Sequence, residues 1–232
     1  MFLLIFDRIS VILVFVERSF KIMKVILVNG SPNENGCTAR ALKEIGDTLN
    51  ACGVDSVVFN IGTEAIAGCL GCRGCRDLKK CVIDDKVNEF VDLAESADGF
   101  IFGSPVYYAG ANGALTAFMD RVFYSDRCSK RNVFAFKPAA AVASARRAGT
   151  TPTLDQLNRY FAIASMPIVT STYWNEVHGN LPEEVEQDGE GLRTMRNLGR
   201  NMAWMLRLIE LGKESGVPLP KTEYKPSTNF IR

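Results

Sequence analysis

Met23-Lys24-Val25-Ile26-Leu27-Val28-Asn29-Gly30-Ser31-Pro32-Asn33-Glu34-Asn35-Gly36-Cys37-Thr38 is the stretch on which the reading of this chain turns. Val25–Val28 is a short apolar run, long enough for a buried strand and too short for a core helix. Asn29 and Gly30 end it with turn chemistry. From Thr38 to Cys52 the apolar residues Ala41, Leu42, Ile45 and Leu49 recur at helical spacing. Strand, glycine-bearing loop and amphipathic helix in that order are the first unit of an α/β domain.

The same alternation continues outward from this unit. Further strands are expected at Val54–Asn60, Phe100–Gly103, Ala139–Ser144 and Pro167–Tyr173. Further helices are expected from Asp84 or Asp85 to about Ala97, then over Asn112–Tyr124, Thr151–Ala164 and Glu190–Lys213. Five strands alternating with five helices predict a parallel, doubly wound, five-stranded sheet. Such a sheet binds ligands outside the carboxyl ends of its strands, where the strand order switches. The loops after Val28, Gly103 and Ser144 are therefore the ones to read for function.

Composition bounds that function. The chain has 232 residues, 47% of them hydrophobic, enough for one domain with a full core. Its 27 basic and 26 acidic residues leave a net charge of +1, which gives no footprint for nucleic acid. Residues 1–22 are apolar, but Asp7, Arg8, Glu17 and Arg18 cut them to an uncharged run from Ile9 to Val16. A spanning helix needs about 20 largely apolar residues. The reading is an amino-terminal extension (a misassigned start would produce one) ahead of a domain at 23–213, with no membrane anchor. Residues 214–232, with Pro218, Pro220 and Pro226, read as an extended tail. Seven cysteines, four of them between 69 and 81, do not resemble a secreted disulfide framework and point to a reducing compartment, the cytoplasm. The single histidine, His178, leaves no material for a histidine-rich metal centre.

The loop after the first strand offers a helix amino terminus, glycines and small hydroxyls, a cradle for an anion. Cys37 stands where a Walker loop has lysine, and no G-x-G-x-x-G is present. A lysine-free cradle suits the terminal phosphate of a mononucleotide. Gly103-Ser104-Pro105-Val106-Tyr107-Tyr108 offers backbone amides and an aromatic wall to a planar heterocycle. Ser144-Ala145-Arg146-Arg147-Ala148-Gly149-Thr150 adds two cations, suited to a flavin's electron-rich edge or a nicotinamide cofactor's phosphate. Three such loops at one end of one sheet favour flavin mononucleotide.

V-N-G-S-P-N-E-N-G-C-T, then I-F-G-S-P-V-Y-Y with A-F-M-D-R, then A-S-A-R-R-A-G-T, resembles the NADPH-dependent FMN reductase family of flavodoxin-like proteins over roughly residues 24–215. The resemblance implies a flavodoxin-like sheet with strand order 2-1-3-4-5 and FMN held by these three loops. It assigns Ser31, Asn33, Gly36, Cys37 and Thr38 to the phosphate, and Ser104, Pro105, Val106, Tyr107 and Tyr108 to the isoalloxazine. Ser144, Arg146, Arg147 and Gly149 close the third side. Asn33 stands where the family usually has a basic residue.

Cys69, Cys72, Cys75 and Cys81 form C-x2-C-x2-C-x5-C within a cysteine-rich loop, residues 67–82. Three cysteines at two-residue gaps can wrap the corners of a cubane, with Gly71 and Gly74 letting the backbone curl. Arg73, Arg76, Lys79 and Lys80 would offset the charge of an anionic centre. Zinc sites generally use two separated cysteine pairs, which this spacing disfavours. Free thiols or a disulfide stay open beside it. The spacing resembles the compact motif of the iron–sulfur flavoproteins, a branch of the same family, and so implies a [4Fe–4S] cluster near the flavin.

The functional expectation is an FMN-dependent oxidoreductase or electron-transfer flavoprotein taking electrons from NAD(P)H or reduced ferredoxin and passing them to an acceptor protein or small molecule. The flavin carries the chemistry, so no catalytic side chain is assigned. The rivals are a cluster-free NAD(P)H-dependent flavin or quinone reductase and a non-enzymatic electron carrier. The resemblance also implies a homodimer or homotetramer. His178 reads equally as a residue over a flavin or a surface histidine. Asp120-Arg121 reads as an ion pair or subunit contact, and Cys52 and Cys128 as structural thiols.

Overall fold

A computed structural model describes residues 22–223, so the amino-terminal extension, all but Ile22, and the end of the tail lie outside the described residues. Strand β1 (Lys24–Asn29) leads through the decisive loop into helix α1 (Cys37–Ala51), and β2 (Asp55–Asn60) returns parallel beside β1. After a single-turn helix α2 (Cys75–Leu78) come α3 (Lys86–Ala94) and β3 (Gly99–Tyr107), parallel to β1 on its other side. A two-residue strand β4 (Gly110–Ala111) folds back antiparallel on the end of β3. Helix α4 (Gly113–Ser129), strand β5 (Ala139–Ala145) and helix α5 (Thr150–Ile163) follow. The chain closes with β6 (Glu176–His178), α6 (Pro182–Val185) and the long α7 (Gly189–Glu214). The parallel strands are ordered β2-β1-β3-β5-β6, the expected 2-1-3-4-5 once the small hairpin strand is set aside.

The pleat sorts alternate residues into two cores. Ile26, Val28, Phe100, Phe102, Ala139 and Ala141 face one, Val25, Leu27, Ile101, Ala140 and Val142 the other. The first core is aromatic. Phe90 of α3 lies 5.1 to 6.2 Å, ring to ring, from Phe59, Phe100, Phe102, Phe118 and Phe134. Strand β5 is almost all alanine and wholly buried, so its short side chains leave room for those rings. On the second face α1 packs against α7, with Leu42, Ile45 and Leu49 meeting Met195, Leu198 and Met202 within one cluster.

Several helix starts follow from local chemistry. Asp85 caps α3 by accepting from Val87 N at 3.0 Å, and Asn112 caps α4 by accepting from Ala114 N at 2.7 Å. Helix α4 runs to Ser129, five residues past the expected end at Tyr124. No helix among the described residues is long and apolar enough to cross a membrane.

The fifth strand is displaced from its expected place. Pro167–Tyr173 contributes only the bridge of Ile168 to Ala139, and pairing resumes at Glu176–His178. The reason is Asn175. Its side-chain amide donates to the Ala141 carbonyl at 3.1 Å, taking the acceptor that a strand N–H would have used. Ser171 steadies the resulting bulge, donating its hydroxyl hydrogen within reach of the Tyr173 carbonyl and Asn175 Oδ1.

Candidate functional site

Three segments meet at the carboxyl ends of β1, β3 and β5. In the first, small side chains stitch the turn together. Asn29 donates to Asn60 Oδ1 at 3.0 Å and accepts from Ser31 N, Ser31 Oγ accepts from Asn33 N, and Asn33 Oδ1 accepts from Asn35 N. Gly36 precedes α1 in extended backbone with no side chain capping it, and no acidic residue lies in the first turn. The amides at this helix start are left for water or an anion. Glu34 is exposed at the rim.

Cys37 donates its thiol hydrogen to the Gly179 carbonyl at 3.4 Å, and burial, helped by Glu184 and Glu183, pushes its pKa up. It is a neutral neighbour for a phosphate. Thr38 is buried and its hydroxyl meets the Ser144 hydroxyl at 2.7 Å. In such a pair one hydroxyl gives its hydrogen to the other, whose own hydrogen stays free to donate to an anion. The resemblance assigns Thr38 to the phosphate by itself; the structure makes it half of a pair spanning 106 residues of sequence.

The second segment is not the loop expected. Strand β3 continues through Ser104–Tyr107 and turns back on β4, with Tyr108 and Ala109 both at positive φ (+49° and +58°). Ser104 is fully buried; its hydroxyl donates to the Pro105 carbonyl and accepts from Asn112 N, both at 2.9 Å. What this segment presents is backbone and the exposed rings of Tyr107 and Tyr108, with Val106 half-buried behind them.

In the third segment β5 extends to Ala145, so the loop proper is Arg146–Gly149, with Arg146 and Arg147 exposed. Gly149 sits at φ +96°, and a Cβ there would lie 2.7 Å from Val106 Cγ1 and 2.8 Å from Ala109 Cα. Only glycine lets this loop lie directly against the β3–β4 hairpin. Thr38–Ser144 joins segments one and three, and Gly149 joins segments two and three. His178 ends β6 in register with Ala145, beside Gly179 whose carbonyl meets Cys37, and so borders this centre; its backbone N–H donates to Asp188 Oδ2 at 2.7 Å.

The cysteines lie elsewhere, against α3 and α4. Cys69, Cys72, Cys75 and Cys81 line one pocket together with Arg121. Cys69 and Cys72 are exposed, Cys75 is buried and Cys81 half-buried. Gly71 does adopt a left-handed conformation, φ +62°. Gly74 matters for another reason, since a Cβ there would collide with Val82 Cγ1. Burial, Cys128 and Cys81 push the Cys75 thiol up to about 11. Cys128, which the sequence read as an inert thiol, is thus a neighbour of the cluster of cysteines.

Among the described residues no three His, Cys, Asp or Glu side chains converge as ligands of one ion. A cubane asks for something different, four thiolates each on its own iron, so its ligands ring a volume instead of converging on a point. Four cysteines around one pocket fit that demand better than they fit zinc.

Two residues that the sequence does not link to the cysteines hold the end of this loop. Asn88, 5% exposed, accepts from Cys81 N at 2.9 Å and donates to the carbonyls of Cys81 and Ile83 at 3.0 and 3.2 Å. Arg121, 1% exposed, donates to both carboxylate oxygens of Asp85 at 2.6 and 2.9 Å and to Cys81 Sγ at 3.3 Å from Nε and Nη2. It forms an ion pair, as expected, but with Asp85; Asp120 instead accepts from Tyr160 Oη at 2.5 Å.

The family model for NADPH-dependent FMN reductase matches residues 23–180. An iron-sulfur flavoprotein of Methanocaldococcus jannaschii is 32% identical over 199 residues, covering 81% of this chain and 100% of that protein. An iron-sulfur flavoprotein of Methanosarcina thermophila is 26% identical over 197 residues, covering 83% and 100%. The solved structure of a flavodoxin from the domain Archaea superposes with a TM-score of 0.54 at 17% identity, over 80% of this chain and 99% of its own, a likeness of fold.

Proposed function

This chain belongs to the NADPH-dependent FMN reductase family, in its iron–sulfur flavoprotein branch, and from that premise we propose that it is an FMN-dependent oxidoreductase carrying a [4Fe–4S] cluster. In this reading the flavin-binding unit is residues 23–213. The amides of Cys37 and Thr38, with the free hydrogen of the Thr38–Ser144 pair, take the phosphate, and Gly36, whose N–H closes the turn onto the Asn33 carbonyl, lets it approach. Ser31 and Asn33 shape the loop around it and do not grip it with charge. The hairpin backbone at Pro105 and Val106 and the rings of Tyr107 and Tyr108 border the isoalloxazine, with Ser104 holding them from behind. Arg146 and Arg147 supply the positive charge on the third side, and Gly149 sets that loop's approach.

Cys69, Cys72, Cys75 and Cys81 would hold the cluster. Bound FMN supplies two-electron acceptance and one-electron release, and an iron–sulfur cluster supplies one-electron storage. The chain's own residues bind, orient and shield these groups, so no side-chain acid or base is required. NAD(P)H or reduced ferredoxin is the electron donor, and an acceptor protein or small molecule takes the electrons onward.

The observation that carries this reading is the joining of three distant loops by the Thr38–Ser144 hydrogen bond and the Gly149–hairpin contact. Anaerobic purification followed by absorbance, flavin quantitation, and iron and acid-labile sulfide assays tests it. One FMN with four iron and four sulfide per chain is expected. Flavin without iron leaves a cluster-free reductase; absence of flavin defeats the proposal. Oxidation of NADH or NADPH with quinone or flavin acceptors then separates an enzyme from a carrier.

A further inference from the structure

Arg121 is the one guanidinium in the described chain that is almost wholly buried, and its surroundings are unusual for a helix residue. From the middle of α4 it reaches both ends of the cysteine loop. It donates to the Ala67 carbonyl at 3.5 Å, to the Ile83 carbonyl at 2.9 Å, and twice to Cys81 Sγ at 3.3 Å. Asp85 is its carboxylate partner, bonded through both oxygens. Arg73, Arg76, Lys79 and Lys80 of the same loop are exposed, where water and salt screen them.

We propose that Arg121 is a positioning residue for the cysteine-bound centre, fixing Cys81 and raising the centre's reduction potential through its charge and its N–H···S bonds. The proposal rests on the reading that these four cysteines hold a cluster. Its physical basis is direct. Adding one electron to a cluster adds one negative charge, and a buried cation bonded to a ligand sulfur stabilises the more negative state. Asp85 acts in the opposite sense, because its charge offsets part of the guanidinium's field. If Arg121 merely braced the loop, substitutions of Arg121 and of Asp85 would not shift the potential in opposite directions.

The test is an anaerobic redox titration of the holoprotein with dithionite as reductant, in the presence of mediators, followed by electron paramagnetic resonance of the reduced cluster. Iron content is measured on the same samples. R121Q is expected to lower the midpoint potential so that the reduced-to-oxidised ratio at a fixed potential falls about tenfold, about 59 mV for one electron. D85N is expected to move it the other way by a smaller factor. R121K, which keeps the charge but cannot fork between sulfur and carboxylate, is expected to lower it less than R121Q and serves should R121Q fail to retain iron. Variants with full iron and unchanged potentials overturn the proposal, as does a shift of both residues' variants in the same direction. Iron-free wild-type protein refutes the underlying cluster reading, a result distinguishable from failure of Arg121 alone.

Discussion

Asp85 carries two loads that can be separated by substitution. Its Oδ1 caps α3 through Val87 N at 3.0 Å, and both its oxygens pair with Arg121, whose side chain is 1% exposed while its own is 27% exposed. Asparagine is as good a cap as aspartate but carries no charge. D85N therefore removes the ion pair and keeps the cap, whereas D85A removes both. Breaking a buried pair by deleting one partner costs about 3–5 kcal/mol, because the other charge is left uncompensated. Here the figure is discounted to about 2–4 kcal/mol for the partial exposure of Asp85 and the carbonyl acceptors Arg121 retains. Loss of the cap adds about 1 kcal/mol in D85A. For a domain of this size each kcal/mol lowers Tm by about 2–4 °C. Anaerobic urea unfolding of the cluster-free protein, with thermal melts alongside, gives both numbers without interference from bound iron. A D85N variant within 0.5 kcal/mol of wild type would refute the claim that Arg121 depends on this carboxylate. Equal losses in D85N and D85A would refute the capping argument alone.

The remaining predictions address the flavin end, the thiols and pH. G149A places a methyl group against Val106 and Ala109 in a backbone conformation, φ +96°, that L residues rarely adopt; an expected loss of about 1–3 kcal/mol should accompany reduced FMN content after purification. Retention of one FMN per chain at wild-type stability would count against the packed-hairpin site. C128S should keep its iron, because Cys128 neighbours Cys75 without belonging to the four-cysteine spacing, whereas C72S should lose most of it; iron assays showing the reverse would reassign the ligand set. Burial raises the Glu44 pKa, but hydrogen bonds from Arg196 and Arg40 outweigh it and leave the carboxyl below its usual value. A depressed folded pKa contributes stability that is present above the unfolded value, about 4.3, and is lost as pH falls through the folded one. Below about pH 4.3 wild type should therefore lose stability faster than E44Q, by a slope difference of up to about 1.4 kcal/mol per pH unit in urea midpoints.

What the sequence disclosed was mostly local. Strand β1 and helix α1 announce themselves through an apolar run, a glycine turn and a periodic face, all within thirty residues. The cysteine spacing is legible for the same reason. The β3–β4 hairpin was hidden because its turn uses Tyr108 and Ala109 at positive φ, without the Asn-Gly or Asp-Gly signal that such turns usually carry. The displaced fifth strand was hidden because Ile168 to Thr172 is rich in β-branched residues, while the deciding bond comes from an asparagine side chain reaching back to Ala141. Thr38 and Ser144 were both named as flavin contacts, but that they touch each other is a tertiary fact no window of sequence contains. Arg121 read as an ion pair or subunit contact and Asn88 went unnoticed, and only the packed structure reveals that loop 67–82 covers both and ties them to Cys81.

The two halves of the site answer one physical problem in different ways. In the proposed reading each holds an anionic group, in a chain whose net charge is only +1. The phosphate segment uses fixed dipoles: helix amides, a hydroxyl pair and a neutral thiol, with no lysine or arginine between Asn29 and Ala39. Dipoles of this kind are already oriented and cost little to bring into place. The cysteine segment instead buries a full charge, and pays for its desolvation with Asp85 and backbone carbonyls. The difference follows from what each group does. A phosphate keeps its charge throughout turnover, so neutral donors suffice to hold it. A centre that gains and loses electrons changes its charge at each step, and a fixed charge and N–H···S bonds close by bias one state over the other. On this argument the proposed bias comes from the buried Arg121 and not from the exposed cations of loop 67–82, which water and salt screen.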